Sequence, residues 1–349
     1  MEMVQHYPAV KRPANPICSV CIANYNGVAL LADCLDSVIA QQGNFSVEII
    51  VHDDASTDDS LTLLRERYPQ IEVLASAKNI GFCISNNRMA AHARGEYILL
   101  LNNDAALDPG ALATLLQAAR EQKPAGILTL PQYDWSSNAL VDRGCLLDPF
   151  YNPVPNINAE RRDVAMVIGA CLWIPRNLWD ELGGFPAWFE SVAEDLYLCC
   201  RARLAGYPVQ VTVASYYRHQ QGLSFGGNRA GEAGLQTTYR RRRLSERNKT
   251  FVLGICSPSA LVWLLMPMHL LALSVEGITL SLLRWDLRLW REVYANVWIS
   301  LWRQRRLLHE ARARVRASRR VSTNHYLRSF TALPRKLVML LRYGLPKVR

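Results

Sequence analysis

Three groups of acidic side chains in this 349-residue chain stand where an apolar run stops or a helix begins. Asp53-Asp54 closes the run from Val47 to His52. Asn102-Asn103-Asp104 closes the run from Tyr97 to Leu101, and Glu194-Asp195 follows the aromatic pair Trp188-Phe189. Carboxylates in such places suit two kinds of chemistry. Mg2+ or Mn2+ takes oxygen ligands, a few carboxylates with water and phosphate completing the shell, and Asp104 is the candidate ligand. A cation held there would stabilise a departing diphosphate as a Lewis acid. A hydroxyl that attacks must also lose its proton, and Glu194-Asp195 offers a carboxylate as general base. Helix capping and turn formation explain any one of these acids equally well. They do not explain several acids gathered along one edge.

The elements that would gather them follow from periodicity. Ile17 to Asn24, Val47 to His52, Ile71 to Ala75 and Tyr97 to Leu101 read as strands. Val28 to Gln42, Ser60 to Tyr68, Ser85 to Arg94 and Asp108 to Gln122 have helical spacing, the last with Pro109 at its first position. Alternating strand and helix over about the first 130 residues predicts an α/β fold, a mostly parallel sheet flanked by helices on both faces. Ligands of such sheets bind beyond the carboxyl ends of the strands, where Asn24-Tyr25-Asn26, Asp53-Asp54 and Asn102-Asn103-Asp104 lie. Pro131 to Asp163 reads as irregular and substrate-facing. An apolar run from Val164 to Ile174 follows, then helices near Arg176 and from Glu194 to Ala205.

The far end differs in composition. Besides the thiol of Cys256, Phe251 to Leu283 carries only His269 and Glu276 as titratable groups and is long enough to cross a bilayer, although Pro258 and Pro267 are expected to break it. A shallow or re-entrant membrane helix pair is an equal reading, and a helical hairpin buried in the protein core is the further alternative. Arg284 to Arg349 holds 17 Lys and Arg against 3 acidic residues, interleaved with Trp285, Trp290, Trp298 and Trp302. Indole and guanidinium together suit a lipid headgroup layer, so the expected partner is a membrane surface and not nucleic acid. No secretory signal is read at the start. The nine cysteines sit mostly in apolar runs and are expected to be reduced, with Cys18 and Cys21 a poor zinc half-site. The lack of Gly-x-Gly-x-x-Gly and Walker-type loops weighs against dinucleotide oxidoreductases and P-loop ATPases.

In this order and spacing the residues resemble family 2 glycosyltransferases of the GT-A fold. The resemblance rests on Asp53-Asp54-Ala55-Ser56-Thr57-Asp58, Asn79-Ile80-Gly81-Phe82, Asn86-Asn87, Ala93-Arg94-Gly95-Glu96-Tyr97 and Leu101-Asn102-Asn103-Asp104. It continues through Gly169-Ala170, Gly183-Gly184-Phe185, Glu194-Asp195, His219 and the rhamnosyltransferase-like Arg247-Asn248. It implies that Ala23, Asn26, Asp53, Asn79 and Asn103 bind a nucleotide-sugar donor. It implies further that Asp104 and His219 hold a divalent cation, Mg2+ or Mn2+, and that Asp195 is the base of an inverting displacement. Glu194, Trp188 and His219 would face the acceptor or the diphosphate. Tyr197 stands where relatives carry a second Asp, and the Gln-x-x-Arg-Trp motif of processive synthases is missing. The expectation is therefore addition of one or a few sugars. The domains implied are an extension over 1–16, a GT-A domain over 17–250 and a membrane-associating helical tail over 251–349. The donor would be dTDP-rhamnose or, next, a UDP-sugar. The acceptor would be an oligosaccharide or a lipid-linked saccharide of an envelope polysaccharide or O-antigen, at the cytoplasmic face of the plasma membrane. The alternative is a catalytically inactive sugar-nucleotide-binding scaffold on the membrane.

Overall fold

The computed structural model describes residues 4–220, 230–231, 234–344 and 347–348. In chain order its first part comprises β1 (Val4–Tyr7), β2 (Cys18–Asn24), α1 (Val28–Ile39), β3 (Val47–Asp53), α2 (Ser60–Arg67), β4 (Glu72–Ser76), α3 (Phe82–His92) and β5 (Tyr97–Asn102). Next come β6 (Ala105–Leu107), α4 (Ala111–Glu121), β7 (Ile127–Thr129), β8 (Gln132–Asp134), β9 (Leu140–Asp142), β10 (Cys145–Leu147), β11 (Pro153–Pro155) and β12 (Cys171–Pro175). Then follow α5 (Arg176–Leu182), α6 (Glu194–Leu204), β13 (Val209–Val211) and β14 (Tyr217–His219). The main sheet has the order β1-β4-β3-β2-β5-β12-β7-β13. Its centre, β4-β3-β2-β5, is parallel, and β12 runs antiparallel to both β5 and β7.

The parallel centre is apolar along almost its whole length because helices cover both faces. Cys21, Ile50, Ile98 and Leu100 join one core with α3, α5 and α6, whereas Cys18, Val20, Val51 and Leu99 join another with α1, α2 and α4. Cys18 and Cys21 thus belong to opposite faces of β2, and all nine cysteines are buried and free. In α1, Leu31, Cys34, Leu35 and Val38 form the buried stripe that the 3.6-residue period requires.

Two stretches differ from the sequence reading. Residues 4–7 are the antiparallel edge strand beside β4, so the sheet begins upstream of residue 17. The stretch from Pro131 to Asp163 contains β8 to β11, each three residues long and too short to show a period. A second small sheet, β6-β14-β8-β9, forms there.

The later part is helical: α7 (Tyr239–Cys256), α8 (Ser259–Leu283), α9 (Leu287–Leu289), a π-helical turn (Trp290–Tyr294), α10 (Ala295–Arg303), α11 (Arg305–Ser318), α12 (Thr323–Leu327) and α13 (Arg335–Tyr343). The apolar run is not one unit. Phe251, Val252, Leu253, Ile255 and Cys256 end α7 inside the same core as Leu172 and Ile174. Among the described residues, only Ala260–Leu283 is long and apolar enough to cross a membrane. Pro258 separates α7 from α8 as expected, but Pro267 sits inside α8. Packing of α8 along one face outweighs the hydrogen bond that Pro267 cannot donate. Ala311, Val315 and Tyr326 of α11 and α12 return to the core of the first part.

Candidate active site

The parallel register aligns the strand ends. Asn24 pairs with Asp53, and Ala23 with Asn102. Asn24 donates its amide to Asp53 Oδ1 at 2.9 Å and accepts from Asn103 Nδ2 at 2.8 Å. Ser56 completes the knot, donating its N–H to Asp53 Oδ2 at 3.1 Å and its hydroxyl to Oδ1 at 2.6 Å. Asn26 joins through its own N–H on Ser56 Oγ at 2.9 Å and by accepting from the Thr57 N–H at 2.7 Å. Its φ of 50° is the left-handed conformation that Asn tolerates. Asp54 turns the other way and accepts the N–H groups of Ile80 and Gly81 at 2.8 and 2.9 Å. Asn79 lies beside it, exposed, with its amide 3.4 Å from the Asp54 carbonyl. The five expected donor-site positions therefore share one strand edge. Asn24, which the sequence places only in a polar strand end with no donor-binding role, is the residue that links Asp53 to Asn103. Gly27 explains part of the close fit, because a Cβ there would stand 2.2 Å from Asn103 Nδ2 and 2.3 Å from Asn24 Oδ1.

Asp104 and His219 lie 115 residues apart in sequence, and the small sheet brings them together. β6 and β14 pair antiparallel with Ala105 opposite His219, which puts His219 Nε2 3.0 Å from Asp104 Oδ1. Both are buried, at 3% and 8% exposure for Asp104 and His219. His219 Nδ1 has no hydrogen-bond partner among the described residues. One carboxylate and one imidazole are a partial ligand set for Mn2+ or Mg2+, with room for phosphate and water oxygens. No group of three or more metal-binding side chains occurs among the described residues. Asp142, on β9, is a further buried acid near His219. Burial pushes it up to about 7, opposed by the Gly144 N–H and the His219 charge.

Glu194 and Asp195 open α6. Asp195 accepts the N–H of Gly169 at 2.9 Å and that of Leu196 at 2.7 Å. The neighbouring Ala170 carbonyl accepts the Asn102 N–H at 3.0 Å, so the two carboxylate sites are joined through one short backbone link. Glu194 is buried, whereas Asp195 keeps partial solvent access. Burial and then the Asp195 charge push Glu194 up to about 8. Burial also raises Asp195, against the Gly169 and Leu196 N–H groups and the charge of Arg241 on α7. The preceding loop is unusual. Glu190, Val192 and Ala193 all have φ between 67° and 70°, a conformation that side chains with a Cβ rarely adopt. Trp188 is partly buried on this loop, its ring 4.7 Å from that of Phe189 and 5.3 Å from that of Phe251. The Glu190 carbonyl accepts the Cys83 N–H at the start of α3, tying the loop to the helix that follows Asp54's partners.

Comparisons with known proteins bear on the family and the fold. Residues 19–183 match the model of glycosyl transferase family 2. A chondroitin synthase of Escherichia coli is 28% identical over 188 residues, 52% of this chain and 26% of that protein. An N-acetylglucosaminyl-diphospho-decaprenol L-rhamnosyltransferase of Mycobacterium tuberculosis is 27% identical over 205 residues, 50% of this chain and 67% of that protein. This chain thus spans about a quarter of the first relative and two thirds of the second. Among solved structures, a mannosyltransferase of Pyrobaculum calidifontis in complex with GDP-Man and Mn2+ superposes with a TM-score of 0.50 at 16% identity. That match covers 89% of this chain and 88% of that one, and it establishes the shared fold. Sheet order and the comparisons converge on one statement: residues 19–183, just under half of the chain, match glycosyl transferase family 2, and the chain has the fold of GT-A glycosyltransferases.

Proposed function

We propose that the protein is an inverting glycosyltransferase that moves one or a few sugars from a nucleotide-diphosphate sugar to a lipid-linked saccharide acceptor, in envelope polysaccharide or O-antigen synthesis. The observation that carries this reading is the Gly169-Ala170 link, which sets the Asp195 carboxylate beside the strand end bearing Asp104. Ala23, Asn26, Asp53, Asn79 and Asn103 bind the nucleotide and its sugar. Asp195, partly open to solvent, takes the proton of the acceptor hydroxyl as the new C–O bond forms and the bond to the diphosphate breaks. Glu194 and Trp188 border the acceptor. A Mg2+ or Mn2+ ion held by Asp104 and His219 would offset the charge of the leaving diphosphate. In the name of the mycobacterial relative, the L-rhamnosyl part supports a rhamnosyl donor and the diphospho-decaprenol part a lipid diphosphate acceptor; our first choice of donor is dTDP-rhamnose and the next a UDP-sugar.

A lipid acceptor requires a membrane, and the helical part supplies a face for its cytoplasmic side. Trp263, Leu264, Met268, Leu271, Val275, Ile278 and Leu282 stand exposed along one side of α8. Trp298 of α10 donates to Ser274 Oγ at 3.3 Å, and Lys336 of α13 bonds Glu276, so further exposed apolar residues, Trp302, Leu337 and Leu341, lie on adjoining helices. The opposite side of α8 is tied to charged groups. Arg242 of α7 pairs with Glu276 at 2.6 Å, and Lys336 bridges Glu276 and Glu246 at 2.7 and 2.8 Å. A helix crossing the bilayer with those partners alongside would carry them into hydrocarbon, at a cost of several kcal/mol. In our reading α8 lies in the interface plane, with the basic residues at phosphate depth. Introduced cysteines at positions 263 and 282 should react with an impermeant reagent from the same side of a vesicle; labelling from opposite sides would establish a span instead.

The activity is tested with a panel of nucleotide sugars, Mn2+ and a membrane extract. A preferred donor whose binding weakens in Asp53→Ala, with a metal requirement that weakens in Asp104→Ala, supports the reading. A folded protein that neither binds nor turns over any donor in the panel overturns it.

A further inference from the structure

We propose that Arg247 and Asn248 of α7 are positioning residues that hold the 188–193 loop in its left-handed conformation and thereby fix the Asp195 carboxylate; this rests on the reading of Asp195 as the base. Asn248 is fully buried, and its Nδ2 lies 2.9, 3.0 and 2.7 Å from the carbonyls of Phe189, Ser191 and Val192. Three carbonyls of this loop thus converge on one side-chain amide. Arg247 grips the same segment from its neighbouring position. It donates to the Phe189 carbonyl at 3.0 Å, pairs with Glu190 at 2.9 Å and passes its Nε–H to Asn248 Oδ1 at 2.9 Å.

The loop needs such a clamp. Glu190, Val192 and Ala193 each hold a positive φ, and strain of this kind persists only where the surroundings over-determine it. Ala193 is the residue immediately before α6, and its side chain cannot cap that helix. Only Ala193 stands between Val192, whose carbonyl Asn248 binds, and Glu194, the first carboxylate of α6. Release of the clamp therefore moves Glu194 and Asp195 directly. Around the pair, Arg241 faces it from α7, Glu190 and Arg247 lie on the clamp itself, and the thiols of Cys83, Cys145, Cys199 and Cys200 feel its charge.

The test compares Asn248→Ser and Arg247→Lys with the parent enzyme in acceptor-dependent turnover, nucleoside-diphosphate binding and the pH profile of kcat. A displaced base costs about 100-fold in kcat. We expect that loss with nucleoside-diphosphate affinity retained. We also expect the acidic limb of the profile to move to lower pH, because water admitted to the loop relieves the burial that raises the pair. A merely structural role would lower the amount of active protein and leave the limb where it is. Glu190→Gln, at a solvent-accessible position, keeps the test open where Asn248→Ser does not fold, and it should show the same limb shift in smaller degree. Folded variants with turnover within about threefold of the parent and an unmoved limb overturn the clamp. An Asp195→Asn variant that stays active overturns the underlying reading instead, so the two failures are separable.

Discussion

The proposed donor edge and the loop before the proposed base are built by opposite means. At the donor edge, Asn24, Asp53, Ser56 and Asn103 satisfy one another, and each lies on a strand end or within three residues of one. The base loop has three strained residues and is held from outside by side chains more than 50 residues further along. The first is preorganised by secondary structure. The second depends on α7, which also carries Arg242 and Glu246 toward α8 and α13. On the proposed reading, a site with one self-held half and one half held by a distant helix would bind its donor without the other half in place.

The sharpest way to break this contrast is to strike the metal pair, which belongs to the donor side. Asp104→Ala should lower turnover by about three orders of magnitude, as loss of charge stabilisation at a leaving group does, and chelation should produce the same loss in the parent. Initial rates across a Mn2+ titration check both. Next is the pH profile of the base side. Glu194, pushed up to about 8, is mostly protonated at neutral pH, while Asp195, also raised by burial, keeps the Gly169 and Leu196 N–H donors that favour its carboxylate form. Raising the pH through about 8 should ionise Glu194 and change kcat there. Glu194→Gln should remove that feature and leave the acidic limb, as a rate profile from about pH 5 to about pH 9 would reveal.

A smaller effect is expected at Gly27. Gly27→Ala forces the Asn24–Asn103 pair apart and should weaken nucleotide binding by about 1 kcal/mol, the worth of one such hydrogen bond, with kcat at saturating donor little changed. Isothermal titration with a nucleoside diphosphate measures it. Smallest for catalysis is Gly277→Ala on α8. A Cβ there would stand 2.4 Å from the Tyr294 ring, and overpacking should cost about 1–3 kcal/mol of stability while donor affinity stays as it was. Thermal unfolding beside donor titration separates the two effects.

The same contrast explains what the sequence made legible. Strand ends and their polar residues could be read because each signal is local: an apolar run, then Asp or Asn. Parallel pairing then follows from alternation of strand and helix. β12, which runs antiparallel into the sheet, could be read only as an apolar run, since periodicity carries no direction. The meeting of His219 with Asp104 was suggested by resemblance and not by spacing, because it depends on a small sheet whose strands have three residues each. Arg247-Asn248 could be noticed as a pair, but its grip on the 188–193 loop could not, because nothing near Asn248 in sequence names its partners. Phe251 to Leu283 reads as one apolar stretch broken at its prolines, but its sequence does not tell that Phe251 to Cys256 is core while α8 offers an open apolar face. Composition alone does not distinguish an apolar residue facing the core from one facing lipid.

The central claim is that Asp195 performs the proton transfer on a donor site that stands without it. The measurement that tests it most directly is acceptor-dependent turnover of Asp195→Asn at saturating donor, paired with nucleoside-diphosphate affinity for the same variant. A fall of about 1,000-fold with affinity unchanged is the predicted result. Turnover within about tenfold of the parent would contradict the account and place the base elsewhere.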